Sequence, residues 1–172
     1  MELSGKCIAV LAEDNYQELE LWYPLLRLKE AGAEVKVIGR EKGMIHTSKH
    51  GYEVTVDIAA SEARSQDYDA IVIPGGYAPD LMRRNPEMTG LVRDMYNQGK
   101  VVAAICHAAW MLASADVIRG KRLTSFYSIK DDMTNAGANW VDEPVVRDGH
   151  LITSRIPADL PFFCREIISA LS

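Results

Sequence analysis

The run from Lys100 to Trp110 constrains the fold most. Val101 to Ile105 is a short apolar, β-branched stretch and reads as a buried strand. It runs directly into Cys106, and from Ala108 the chain turns helical with Ala-Ala-Trp-Met-Leu-Ala. A strand that ends in a nucleophile-type residue and turns at once into a helix describes a nucleophile elbow. Such a turn lifts the thiol out of the sheet and sets it beside the free N–H groups of a helix N-terminus. Those groups and the helix dipole favour the thiolate, which is the reactive species. A buried structural cysteine at a strand end fits the same run, because free cysteine is among the most buried residue types.

Strand and helix periodicities alternate along the rest of the chain. Cys7 to Ala12 is strand-like. Gln17 to Ala31 has helical spacing, with Leu21, Leu25 and Leu28 on one face and Gly32 as a stop. Glu34 to Gly39 is a second strand, and Gly43 to Val56 reads as a short β excursion or hairpin. Asp69 to Ile73 is a third core strand, closed by Pro74-Gly75-Gly76. Pro86 to Gln98 is a helix with Pro86 in its first turn and Gly99 ending it. Lys121 to Ser125 reads as a strand and Ile129 to Ala136 as a short helix. Val145 to Thr153 is a hairpin around Asp148-Gly149, and Ala158 to Leu171 is a closing helix. This alternation predicts an α/β fold with a mostly parallel sheet and helices on both faces. No internal repeat or linker interrupts residues 1–172, so one domain is expected.

Composition narrows the function classes. The chain is 48% hydrophobic and 25% charged, which predicts a globular fold. Its net charge of -5 and lack of a Lys/Arg cluster argue against nucleic acid as the main ligand. No apolar stretch approaches the ~20 residues of a membrane helix. The N-terminal residues lack a signal-peptide layout, and Cys7, Cys106 and Cys164 make an odd count without metal-type spacing. A reducing cytoplasm is expected, with no metal and no cofactor.

In an open parallel sheet, ligands gather at the C-terminal ends of the strands. Three such ends carry polar or permissive groups: Glu13 to Glu20, Pro74-Gly75-Gly76, and Cys106-His107. If those strands are neighbours, a carboxylate, a glycine turn and a thiol converge. Gly75 and Gly76 allow close backbone approach, and the N–H of Gly76 beside that of His107 would hold an oxyanion. A carboxylic acid from the first helix would hydrogen-bond the sulfur or move a proton. Taken singly, Gly-Gly is an ordinary loop and an acidic first turn an ordinary dipole complement. Neighbouring residues on an elbow point apart, so His107 is expected to turn away from the sulfur. His46, His50 and His150 are expected to face solvent, and Cys7 and Cys164 to lie in the core.

Together these pieces resemble the PfpI/ThiJ family, the intracellular-protease and deglycase-like branch of the class I glutamine amidotransferase-like fold. The resemblance rests on Glu18-Leu19-Glu20 before Tyr23-Pro24, Ile73 to Asp80 (Ile-Pro-Gly-Gly-Tyr-Ala-Pro-Asp), and Ala104-Ile105-Cys106-His107. It continues through Asp131 to Ala138, Trp140-Val141-Asp142, Leu151 to Arg155, and Pro157 to Pro161. It implies a flavodoxin-like three-layer sandwich, a homodimer as the usual unit, and hexamers among peptidase members. It also implies Cys106 as nucleophile and oxidation-prone thiol, Glu20 as the acid that contacts it, and His107 as the histidine of the peptidase-like branch. Asp80 occupies the position of the acid that a neighbouring subunit supplies to that histidine. The resemblance further implies Gly76 and the backbone of His107 as the anion-binding amides, with Gly75 in the same turn.

The departures from the family pattern are local. Gln17 replaces one acid of the Phe-Glu-Asp pattern. Ala108-Ala109-Trp110 follows the histidine where Gly-Pro is usual. Phe126 stands at the usual tyrosine, so the hydroxyl beside the site is either lost or supplied by Tyr127. Two functions are compatible with these residues. One is a cysteine-dependent hydrolase (peptidase, amidase, deglycase or glyoxalase-like) acting on a peptide or a small carbonyl or glycated substrate. The other is a stress protein whose Cys106 is reversibly oxidised with little turnover.

Overall fold

The computed structural model describes all 172 residues. In chain order the strands and helices are β1 (Cys7–Leu11), α1 (Glu18–Glu30), β2 (Glu34–Gly39), β3 (Ile45–Thr47), β4 (Glu53–Thr55) and β5 (Ile58–Ala59). Then follow β6 (Ala70–Ile73), α2 (Ala78–Met82), α3 (Pro86–Asn97), β7 (Val101–Ile105) and α4 (Ala109–Ser114). The last third holds β8 (Arg122–Leu123), α5 (Lys130–Asn135), β9 (Asn139–Trp140), β10 (Val145–Asp148), β11 (Leu151–Ser154) and α6 (Leu160–Leu171).

Seven strands form the main sheet in the order β10-β11-β7-β6-β1-β2-β5. All pairings are parallel except β10 with β11, the hairpin turned at Asp148-Gly149. Every residue of β6 and β7 is buried, as expected of strands covered on both faces. Helices α1 and α6 pack together on one face, and α3 and α4 cover the other. The result is an α/β three-layer fold.

Three strand ends meet as the convergence requires. β6 lies between β1 and β7, and Ile73 pairs with Ala104. Pro74-Gly75 therefore leaves the sheet beside Ile105-Cys106. β3 and β4 form the expected hairpin apart from the main sheet.

Several elements differ from the sequence reading. Ile58–Ala59 adds a two-residue edge strand beyond the end of that hairpin. Lys121 to Ser125 yields only Arg122–Leu123, which pairs with Asn139–Trp140 in a separate small sheet. Helix α2 follows the Gly-Gly turn at once, with Pro79 in its first turn. His46 is fully buried and His150 half-buried against Tyr96, so only His50 faces solvent. Their strands alternate in and out, and His46 falls on the inward position of β3. Cys164 is buried, whereas Cys7, at the start of β1, is only half-buried. No helix is long and apolar enough to cross a membrane.

Candidate active site

Cys106 ends β7 with φ of +63°, a left-handed conformation that few residues other than glycine adopt. Such a conformation costs roughly 1–3 kcal/mol and persists only where its surroundings impose it. The side chain is 8% exposed. The backbone N–H groups of His107 and Gly76 lie near its sulfur and lower the thiol's pKa.

The Gly-Gly turn is what lets the two loops approach. A Cβ on Gly75 would lie 2.4 Å from Glu20 Oε2 and 2.7 Å from the Cβ of Cys106. Gly76 has φ of +78°, and a Cβ there would lie 2.6 Å from the Asn15 carbonyl. That carbonyl accepts hydrogen bonds from Tyr77 N (2.9 Å) and Ala78 N (3.3 Å), which ties the turn to the end of β1.

Glu20 is fully buried in the first turn of α1. Gln17 caps that helix, its side-chain oxygen accepting from Glu20 N at 2.9 Å. The residue that departs from the family's acid thus fixes the backbone of the acid that remains. Glu20 Oε2 accepts from Gly75 N at 2.8 Å, its Oε1 finds no well-aligned partner, and the carboxyl lies against the Cys106 thiol. Pro24 has no N–H to give the Glu20 carbonyl oxygen.

Burial pushes the Glu20 carboxyl up to about 8, against the pull of the Gly75 N–H and the thiol. Burial, joined by the charge of Glu20 once ionised, pushes the Cys106 thiol up to about 12, against the two amides. Burial thus opposes the expected thiolate, and the two amides offset that only in part. The thiol lowers the carboxyl's pKa, whereas an ionised carboxyl would raise the thiol's. Burial keeps Glu20 protonated near neutral pH, so its charge does not bear on the resting thiol.

His107 contradicts expectation in orientation. Its Nδ1 lies 3.3 Å from Cys106 Sγ, because a short 3₁₀ turn over Cys106–Ala108 folds the ring back over the thiol. Phe126 stacks on the imidazole at 4.9 Å between centroids, and Trp110 meets it edge-on at 5.0 Å. Its Nε2 lies 3.3 Å from Ser128 Oγ. With Nδ1 as acceptor, Nε2 carries the hydrogen and donates it to that hydroxyl. Burial lowers the imidazole's pKa, partly offset by the charge of Asp132, whose Oδ2 accepts from Trp110 Nε1 at 2.8 Å. A neutral imidazole facing a protonated thiol can take its proton.

Two predicted residues lie elsewhere. Tyr127 is 73% exposed and lines a separate depression with Asp142 and Arg155, while Phe126 faces the thiol in its place. Asp80 sits in the first turn of α2, away from the cleft. Burial would raise its carboxyl, but hydrogen bonds from Arg84 and Tyr77 hold it below its ordinary value. Trp110, whose bulk the sequence places near the pocket, lines the cleft; sequence reading missed Lys49, which lines it from the β3–β4 turn. The turn residues Ser48 to Gly51 give no sign that they reach across to another strand's end.

The cleft over Cys106 encloses about 380 Å³. A larger concavity of about 600 Å³ lies between Glu13, Arg40, Arg84 and Glu87, with Leu81 its only apolar residue. Beside it, Glu13 is bonded by Arg40 (2.9 Å), and His46 Nδ1 lies 3.2 Å from Glu13 and 3.1 Å from Asp14. The ligand atoms of Glu13, Asp14 and His46 are close enough to share a cation. Arg40 already supplies positive charge there. The smaller cleft is the chemical one, because it alone has a strained nucleophile, a base and convergent amides.

Comparison with known proteins agrees with this geometry. The sequence profile of the DJ-1/PfpI family matches residues 6–170. A deglycase of Pyrococcus abyssi is 46% identical over 164 residues, covering 95% of this chain and 98% of its own. Deglycase PfpI of Pyrococcus furiosus is 44% identical over 95% of this chain and 98% of its own. Among solved structures, a two-domain DJ-1/ThiJ/PfpI-like and ferritin-like protein of Anabaena variabilis superimposes with a TM-score of 0.95 at 44% identity. That match covers 96% of this chain but 48% of the other, so this chain spans about half its length. Drosophila melanogaster DJ-1beta gives a TM-score of 0.91 at 32% identity, over 96% of this chain and 90% of its own. The chain belongs to the DJ-1/PfpI family.

Proposed function

We propose that this protein is a cysteine-dependent hydrolase of the deglycase type. The observation that carries the reading is the 3.3 Å contact between Cys106 Sγ and His107 Nδ1, with the backbone amides of Gly76 and His107 beside the sulfur. The Pyrococcus relatives are named deglycases, which supports a glycated substrate.

In the first step the sulfur attacks a carbonyl carbon. The thiol proton passes to His107 Nδ1 as the carbon–sulfur bond forms. The carbonyl π pair moves to oxygen, and the N–H groups of Gly76 and His107 hold that charge. Where the carbon bears nitrogen, the oxyanion pair re-forms the C=O as the C–N bond breaks, His107 returns the proton to the amine, and water hydrolyses the thioester. At a dicarbonyl, His107 returns the proton to the oxyanion, and a shift of the hemithioacetal hydrogen to the neighbouring carbonyl carbon gives the thioester that water hydrolyses. Protonated Glu20 keeps a second negative charge away from the sulfur.

The base beside the thiol, His107 Nδ1 at 3.3 Å, favours this reading over a redox sensor, because oxidation alone needs no proton acceptor positioned for turnover. Turnover of a small dicarbonyl, a glycated amino acid and casein should be compared for the parent and Cys106→Ser. Loss of on the order of a thousandfold or more with Cys106→Ser is expected for the deglycase substrates. Equal turnover by the two proteins would remove the reading.

A peptidase activity would need an acid for His107, whose Nε2 meets only a hydroxyl in this chain. We assign Asp80 of a neighbouring copy to that task, in a homodimer or hexamer. Helix α1 leaves Leu19, Tyr23 and Leu26 exposed at i, i+4 and i+7, an apolar stripe suited to self-association. Mixing Cys106→Ser with Asp80→Ala, with subunit exchange verified, should then restore part of the casein cleavage. A fully active Asp80→Ala would refute the assignment.

A further inference from the structure

The lining of the Cys106 cleft includes three side chains that commonly charge in proteins: Glu20, His107 and Lys49. Burial holds Glu20 and His107 neutral near neutral pH. The ammonium of Lys49 is therefore the standing charge of the cleft. It belongs to none of the chain's ion pairs.

An unpaired surface lysine is ordinarily a solvated one. The backbone of this lysine is unusually fixed. Lys49 N donates to the Tyr16 carbonyl at 3.0 Å, and Gly51, at φ of +88°, closes the turn by donating to the Ser48 carbonyl at 3.0 Å. The residues on either side are clamped to one carboxylate. Glu18 Oε1 accepts from Ser48 Oγ (2.5 Å), His50 N (2.9 Å) and His50 Nδ1 (2.9 Å). Burial alone would raise the Glu18 carboxyl, yet these bonds bring it down to about 2, so the clamp stays charged. Glu18 and Glu20 lie two positions apart in the first turn of α1. One helical turn thus both presents the acid to the thiol and pins the loop that carries the lysine.

We infer that Lys49 determines the specificity of the cleft and that the substrate carries a carboxylate close to the carbon that Cys106 attacks. The inference rests on the hydrolase reading of the site. Lysine suits this task as a compact point charge on a long stem, which reaches one anionic group without fixing its plane. A dicarbonyl or glycated compound bearing a carboxylate would place its carbonyl at Cys106 and its anion at Lys49.

Iodoacetate and iodoacetamide test this on the intact protein. Both alkylate by forming a sulfur–carbon bond as iodide leaves, and they differ in carrying a carboxylate or a neutral amide. The ratio of their rates at Cys106, read by peptide mass mapping, should be higher in the folded parent than in the same protein denatured. Lys49→Met should lower the folded ratio about fivefold, and Lys49→Arg should keep most of it. Raising the salt should shrink the parent's advantage. An equal ratio in the parent and Lys49→Met would overturn the inference while leaving the site reading intact. Labelling of Cys106 by neither reagent would overturn the site reading and the inference with it.

Discussion

Glu13, Asp14, Arg40 and His46 gather where β1 and β2 end, and Glu20, Cys106 and His107 gather beside the end of β7. Both clusters stand on the carboxyl edge of one sheet, and both bury ionisable groups. In the first, Arg40 meets Glu13, and His46 bridges Glu13 and Asp14. In the second, a carboxyl oxygen has no aligned partner, a thiol sits in a left-handed backbone, and Lys49 acts on the acid only at a distance. Each cluster keeps one buried polar atom without a partner, His46 Nε2 in the first and Glu20 Oε1 in the second. The first is closed by ion pairs and adjoins the larger concavity, whereas the second sets a strained thiol beside a base and opens on the smaller one. A strained nucleophile within reach of a base, more than volume, marks where a substrate is to be accommodated.

The comparison should break first on pH. The Glu20 carboxyl rises from an ordinary 4.5 to about 8 on folding, so the folded chain holds a proton that the unfolded chain releases. Its stabilising contribution is fully present below about pH 4.5, declines as pH rises toward about 8, and is flat above. The slope within that window reaches about 1.4 kcal/mol per pH unit. Urea midpoints of the parent should fall across it, and those of Glu20→Gln should fall less. Parallel curves would mean that Glu20 is not protonated in the fold.

A smaller effect tests the closed cluster. Arg40→Met leaves Glu13 buried without its guanidinium and should cost about 2–3 kcal/mol in urea unfolding. Cys106 alkylation should keep its rate, since Arg40 touches nothing in that cleft. A slowed thiol would show that the clusters are coupled.

The smallest effect concerns backbone strain. At φ of +63° glycine is relieved of a cost that alanine bears. Cys106→Gly should therefore be more stable than Cys106→Ala by about 1 kcal/mol, the reverse of the order inside a regular strand or helix. Alanine as the more stable variant would mean that the elbow is not strained.

Six of the seven main-sheet strands and the elbow were legible because sheet strands are short apolar or β-branched runs closed by glycine and proline. The two-residue strands β5, β8 and β9 are too short to carry any periodicity. Glu20 was legible from its helix, its spacing to Pro24 and the family pattern. His107 was misjudged because sequence adjacency does not reveal that a 3₁₀ turn follows the elbow. Tyr127 was assigned by its hydroxyl, yet the turn that exposes it directs Phe126 inward. Lys49 and the burial of His46 depend on where a hairpin lands against a distant strand end, which local pattern cannot encode.

Limited labelling of the native protein with iodoacetamide, followed by peptide mass mapping, tests the central claim most directly. Exposure alone would select Cys7, which is half-buried, over the buried Cys106 and Cys164. With His107 as base, Cys106 should label first, and His107→Gln should slow it by on the order of a hundredfold without changing Cys7. Labelling of Cys7 ahead of Cys106, or an unchanged Cys106 rate in His107→Gln, would contradict the account.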